Sequence, residues 1–426
     1  MRPISYASLA VALLLAAPHL EGQASAYDRA KAAFQKGDRP AARAILESEC
    51  REGRETARVL SLLGLIHLDP PFRDDALARR LLEKARSLDG KDVYAHYGLG
   101  LEASRRRSWS EAVTQLSRAL ELSPRFSACR YELGVALYQL SRLEEADAAF
   151  AAVGDADWRA LEYRALVENR RGRSVDAAAR IAAILAKHPA HPERGRLLYQ
   201  QAAFLNQAAD ADGALPLFQA ALDAGYVRAE CLNALADLLY DADRIVEARE
   251  RYELAMAAPS IIQPDLGGKA ARRARTKALF RLGVIHYDRK EFPEAEKDLE
   301  KSVELDRFHE NAWYKLGQVR HRLGKEEAAT AAFERHKAIQ PLLRQIKGVE
   351  RSLATDPGNF DNRFELSRML IACERFDEAL VQLLEIAARE PRRKGLPALF
   401  VAAHEGLDMP EEAARWRKVL EAEESR

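Results

Sequence analysis

The chain has 426 residues, 48% of them hydrophobic and 31% charged, with a formal net charge of +1. A composition this apolar excludes a disordered tail or linker, and near-neutrality excludes a global field that would gather nucleic acid or an anionic membrane. The four cysteines, Cys50, Cys129, Cys231 and Cys373, are too scattered for a disulfide framework or a CxxC metal site.

The amino terminus, MRPISYASLAVALLLAAPHLEGQASA, carries one Arg, an apolar run from Ile4 to Ala17, then Pro18 and a small-x-small ending at Ala24-Ser25-Ala26. That order is the layout of a secretory signal, so residues 1–26 are expected to direct export to the periplasm or beyond and to be removed. The run is shorter than the roughly 20 residues a membrane-spanning helix needs, which leaves an uncleaved amino-terminal anchor as the alternative to cleavage, and no other stretch is apolar enough to span. No Cys follows the run, which argues against a lipoprotein anchor.

Beyond it a period of 34 emerges: Gly100 to Gly134, and Gly283 to Gly317. Twelve residues after each glycine stands Ala112, Ala146, Ala295 or Ala329, and four later a large apolar residue, Leu116, Phe150, Leu299 or Phe333. Polar turns (RSWS, SRLEE, KEFPE, GKEE) separate the glycine from the alanine, and apolar residues recur at helical spacing on both sides. Each unit therefore reads as helix, turn, helix. A glycine inside a helix costs about 1 kcal/mol relative to alanine, so its recurrence at one place points to close approach of two helices. Pro124 and Pro341 are expected to end their units, because proline lacks the N–H of the next turn.

This pattern resembles the tetratricopeptide repeat, whose unit of 34 has an aromatic near its start, then Leu-Gly, Ala, Phe and Pro at fixed offsets. Trp313, Leu316, Gly317, Ala329, Phe333 and Pro341 meet it most fully, and Val93 to Phe126 almost as well. Weaker copies start near Ser127, Trp158, Gly195, Ala229, Thr276 and Phe360, with two more at 26–50 and 58–90. The resemblance implies an all-α fold, a right-handed superhelical α-solenoid. The expected organisation is an array of about nine repeats over residues 27–343, with an insertion near 259–275, a linker helix at 344–359, and further repeats over 360–426. Residues 362–391 resemble the repeat module of thioredoxin-like bacterial co-chaperones, without the thioredoxin domain. Stacking would hold Cys129 and Cys231 tens of ångströms apart, so free thiols are expected.

Motifs of chemistry are weak. GLGLEA at 98–103 fits a dinucleotide fingerprint but has no strand before it. His188 and His191 in KHPAHPE lack a third ligand. His67, His286 and His404 recur where the family usually has an aromatic, which marks them as packing residues. Lys269, Arg272, Arg273, Arg275 and Lys277, like PRRK at 391–394, read as a solvated face or a contact for phosphate. No catalytic group, metal or cofactor is expected.

In tetratricopeptide proteins the first helix of each unit lines the concave wall. Carried over residue by residue, the resemblance places there Tyr97, Tyr131, Tyr138, Tyr163, Asn169, Tyr199, Gln200, Asn206, Asn233, Asp237, Tyr240, Tyr287, Tyr314, Gln318 and His321. Tyr offers a rigid ring with a polar tip, and Asn or Gln can satisfy a bound backbone. The Lys and Asn of a carboxylate-clamping groove are missing: its ninth position reads Leu101, Val135, Leu166, Ala203, Asp237, Val284, Gln318 and Arg368. The expected function is an exported scaffold that holds a protein or peptide segment on this wall, with no nucleic-acid partner. Alternatives are carbohydrate contact in envelope polysaccharide export and, last, an enzyme whose site is assembled in space.

Overall fold

The computed structural model describes residues 25–259, 269–356 and 358–424. The expected signal segment, 1–26, thus lies almost wholly outside the described residues, as does the centre of the expected insertion. Every regular element among the described residues is an α-helix, and consecutive helices pair as hairpins. The chain divides between Lys187 and His188 into two compact units.

The first unit holds five hairpins: α1 (Ala26–Gln35) with α2 (Arg39–Arg51), α3 (Ala57–His67) with α4 (Asp75–Leu88), α5 (Val93–Arg105) with α6 (Trp109–Leu122), α7 (Ser127–Gln139) with α8 (Leu143–Ala151), and α9 (Trp158–Arg170) with α10 (Ser174–Lys187). The second unit holds six: α11 (Arg194–Gln207) with α12 (Ala211–Asp223), α13 (Ala229–Asp241) with α14 (Ile245–Ala257), α15 (Lys269–Asp288) with α16 (Phe292–Leu305), α17 (Glu310–Arg322) with α18 (Glu326–Thr355), α19 (Phe360–Ala372) with α20 (Phe376–Arg389), and α21 (Leu396–Gly406) with α22 (Pro410–Glu424). This is an all-α repeat solenoid.

The glycines of the period sit at the contact within each hairpin. A Cβ added to Gly100 would come within 2.6 Å of Leu116, and one on Gly134 within 2.7 Å of Phe150. Gly283 meets Leu299 and Gly317 meets Phe333, each at 2.6 Å. The partner is in every case the large apolar residue sixteen positions on. Burying such a side chain contributes about 1.5–3 kcal/mol, which exceeds the propensity cost of the glycine. Leu82 is held from both sides, by Gly64 of its own hairpin and Gly98 of the next, so small residues set the spacing between repeats as well.

The turns share a second device. Arg107 N–H donates to Ser104 O at 3.0 Å and Ser108 N–H to Ala103 O at 2.9 Å. The same pair of bonds recurs around Gly37, Ser141, Ala209, Asp243, Lys290, Gly324, Glu374 and Asp408. This helix ending satisfies two orphan carbonyls and requires a positive φ at its hinge residue. Arg107, Ser141, Ala209, Asp243, Lys290, Glu374 and Asp408 adopt it without being glycine, although a left-handed conformation costs an L-residue about 1–2 kcal/mol.

Two expectations are corrected. Pro341 does not stop its helix, and residues 344–355 are not a separate linker helix: α18 runs unbroken through both for 30 residues. Proline forfeits the bond to Lys337 O, but Leu342, Leu343, Ile346, Val349 and Leu353 form a stripe that packs on Leu366, Leu370, Cys373 and Ala379. That burial outweighs one lost hydrogen bond. All four cysteines, by contrast, are free thiols as expected. Cys129 and Cys231 occupy equivalent places, each donating its S–H to a carbonyl thirteen residues back, Leu116 O at 3.3 Å and Phe218 O at 3.8 Å.

Gly317→Ala is expected to lower stability by about 1–3 kcal/mol in urea unfolding through overpacking. Gly348→Ala, on α18 where an added Cβ meets nothing within 4 Å, should instead raise it by about 0.5–1 kcal/mol. Ala209→Gly, at φ 62°, should raise the unfolding midpoint by relieving left-handed strain, a gain of about 0.5–1 kcal/mol.

Candidate ligand wall

In the first unit the inner-wall tyrosines are largely internal. Tyr97 is 0% exposed, its ring 4.7 Å from that of Phe126, and its hydroxyl has no hydrogen-bond partner among the described residues. Tyr163 stacks on Phe150 at 4.9 Å and meets Tyr131 and Tyr138 edge-on at 5.7 and 5.6 Å. Arg159 lies over the Tyr131 ring at 5.2 Å and Arg170 over Tyr138 at 4.0 Å. Asn169 Oδ1 accepts from Ser174 Oγ at 2.8 Å, joining the two helices of its hairpin. The expectation that Tyr97, Tyr131 and Tyr138 offer their rings to a ligand is therefore not met. Tyr97 lies within ring reach of Phe126, and Tyr131 and Tyr138 within reach of Tyr163 in the next hairpin, and ring–ring packing takes them.

The second unit divides its residues differently. Tyr199 packs on Tyr226 and Phe218, at 5.4 and 5.9 Å between ring centroids, and burial pushes its hydroxyl well above the usual tyrosine range. Asn233 is only 2% exposed and donates to Ala274 O at 2.9 Å, so it too serves the fold. Asp237 accepts from Tyr252 at 2.6 Å and pairs with Arg281 at 3.2 Å and with Lys277. Tyr240 donates to Asp288 at 3.2 Å. Tyr287 is half-buried beneath Lys315, 4.3 Å from its ring centroid. Gln200 and Gln318 are half-buried, each with a side-chain oxygen that lacks a partner among the described residues. Asn206 and His321 face solvent, the latter 3.0 Å from Glu326, and Tyr314 is 46% exposed. Of the second unit's wall positions, Asn206, Tyr314 and His321 are exposed, and Gln200, Tyr240, Tyr287 and Gln318 are half-buried.

The weaker motifs resolve into packing. Gly98 and Gly100 of GLGLEA lie inside α5 against Leu82 and Leu116. His67, His286 and His404 are buried. His188 and His191 have rings 6.3 Å apart, and His191 Nδ1 accepts the backbone N–H of Glu193 at 3.0 Å. No trio of His, Cys, Asp or Glu among the described residues is placed to hold a metal. Arg393 of PRRK lies over Phe364 at 4.7 Å and pairs with Glu390 at 2.7 Å and with Asp361. The basic run at 269–277 is not a bare solvated face. Arg272 pairs with Glu374 at 3.2 Å, Arg273 with Asp377 at 3.4 Å and with Glu378, and Arg275 donates to Met256 O at 3.0 Å.

One residue of interest carried no signal in the sequence. Glu132, half-buried on α7, has its carboxyl pushed up to about 7 by burial, against the lowering pull of Arg159 and Arg105. It stands among Tyr97, Arg105 and Arg159, on three successive first helices. The cysteines are shifted the same way: burial raises Cys231 to about 12 and Cys373 to about 11, and raises Cys129 and Cys50 as well.

Comparison with known proteins agrees with the repeat. Tetratricopeptide repeat family profiles match residues 97–158, 276–309 and 310–341, so the chain carries tetratricopeptide repeats there. Superkiller protein 3 of Saccharomyces cerevisiae is 23% identical over 286 residues, which is 64% of this chain. The match spans a fifth, 20%, of that protein's own length. The solved structure of PilF from Pseudomonas aeruginosa is 20% identical, covering 51% of this chain and 94% of that one, with a TM-score of 0.42. A tetratricopeptide repeat protein from Parabacteroides merdae is 15% identical, covering 61% and 100%, at a TM-score of 0.44. At these values neither structure bears on what the chain binds. The co-chaperone likeness of residues 362–391 rests on their sequence pattern alone. No helix among the described residues is long and apolar enough to cross a membrane.

Two measurements follow from the titrating groups. The folded carboxyl of Glu132 is raised above the ordinary 4.5 of a glutamate, so the stability it contributes is present below pH 4.5 and lost as pH rises to about 7. Glu132→Gln should therefore raise the urea midpoint at about pH 8 and leave it nearly unchanged at about pH 4. A thiol reagent at neutral pH should modify the half-buried Cys50 well before Cys129, Cys231 and Cys373, read by peptide mass.

Proposed function

We propose that the chain is an exported scaffold that holds an extended protein segment against its first-helix wall, chiefly in the second unit. Tetratricopeptide repeats are protein-interaction scaffolds. What supports the capture of a segment is the contrast on the wall: Tyr97, Tyr131 and Asn233 are buried in packing, while Tyr314, Asn206 and His321 stay open to solvent. A preformed wall needs no reorganisation, so a segment laid on it loses only its own entropy and is repaid by many parallel contacts.

Carbohydrate contact has less support, because stacking on a sugar needs an open ring face, and Tyr131, Tyr138 and Tyr163 are turned on one another. Nucleic-acid contact has less still, since the basic run is occupied by Glu374, Asp377 and Glu378. Export rests on the layout of residues 1–26. It implies a mature chain starting at Tyr27, which the intact mass of the protein from a periplasmic fraction would show.

The binding test uses a partner segment captured from the cell envelope, resynthesised and titrated against the purified chain. Tyr314→Ala should weaken binding at least about tenfold, as an exposed aromatic anchor does, with the thermal midpoint unchanged. An affinity indifferent to Tyr314→Ala and to Asn206→Ala together would rule out the wall as the binding surface.

A further inference from the structure

The first helices α5, α7, α9, α13, α17 and α19 are thirteen residues long, whereas α15 has twenty. The seven extra residues lie at its amino-terminal end, before Thr276, where the repeat itself starts. They carry Arg272 and Arg273. These two arginines meet the acidic turn of the α19/α20 hairpin, two repeats onward and about a hundred positions away in sequence: Arg272 at 3.2 Å from Glu374, Arg273 at 3.4 Å from Asp377 and also on Glu378. Arg307, between α16 and α17, adds a second cation on Glu374 at 3.1 Å. Arg272 also donates to Leu305 O, which anchors its guanidinium at the end of α16. Beneath these pairs lies a small cavity lined by Thr276, Cys373, Phe376 and Leu407.

We propose that the extra turns of α15 are an ionic latch that holds the α19/α20 hairpin closed over this cavity. The repeat stacking alone does not require a contact that skips a repeat, and the bonds that join the two sides of this one are ion pairs. The arginine and acid side chains of the latch are 28–49% exposed, apart from Arg307 at 65%. They remain within reach of salt, whose screening length falls from about 10 Å at 0.1 M to about 3 Å at 1 M. The latch therefore loosens as ionic strength rises, and Cys373, which is 3% exposed in the closed form, reports the opening.

The test follows modification of each cysteine by a maleimide, read by peptide mass, in a Cys50→Ser background. Raising sodium chloride from about 0.05 to about 1 M should accelerate labelling of Cys373 about tenfold while Cys231 keeps its rate. Arg273→Glu should give the fast rate already at low salt. The pairing of Asp377 with Arg273 allows a rescue: Arg273→Glu combined with Asp377→Arg should return Cys373 towards the slow rate. A Cys373 rate indifferent to salt and to Arg273→Glu would overturn the latch. So would a parallel rise at Cys231, which would mean that the unit opens as a whole, or a double variant as fast as the single one.

Discussion

The contact between a glycine on one helix and a leucine or phenylalanine on the next is the constraint on which the rest depends. Gly100, Gly134, Gly283 and Gly317 each leave room for one large side chain and no more, since a single added carbon would stand 2.6–2.7 Å from it. Two helices that approach so closely can shift little along each other, so each hairpin has one register. The left-handed turn then fixes the direction in which the second helix leaves, even where Arg107 or Lys290 must adopt it at a cost. Stacking follows from the same economy of volume: Leu82 between Gly64 and Gly98 ties one hairpin to the next.

Once the hairpins have taken what they need, the remaining side chains define what can meet a partner. On the first helices most aromatics lie within reach of a neighbouring hairpin and are drawn into it, as Tyr163 is between Phe150, Tyr131 and Tyr138. In the middle of the second unit, Tyr314 touches Phe333 and His336 yet stays open. Charge is handled in the same way. Arginines that look free in sequence, such as Arg272 and Arg273, are matched to acids in other hairpins.

The architecture was legible in the sequence because its cost is local and repeated. A glycine in mid-helix is unfavourable anywhere, and its place sixteen residues before a large apolar side chain in four separate units marks a contact between the two. The wall was only partly legible, because a tyrosine at its fifth unit position can serve packing or recognition, and the choice depends on the next repeat: Phe126 buries Tyr97, while nothing comparable covers Tyr314. Pro341 misled for a related reason, since the stripe from Leu342 to Leu353 lies after the proline and its burial is tertiary. The pairing of Arg272 with Glu374 was beyond reach, because charge in a sequence does not name a partner a hundred residues away.

If each periodic glycine exists for the side chain facing it, a double-mutant cycle on Gly283 and Leu299 is the most direct test, by urea unfolding of Gly283→Ala, Leu299→Ala and the two combined. Strong coupling is predicted, with Gly283→Ala destabilising the wild type but neutral or stabilising once Leu299 is alanine, a coupling energy of about 1–3 kcal/mol. Additive effects, with Gly283→Ala costing the same in both backgrounds, would contradict it.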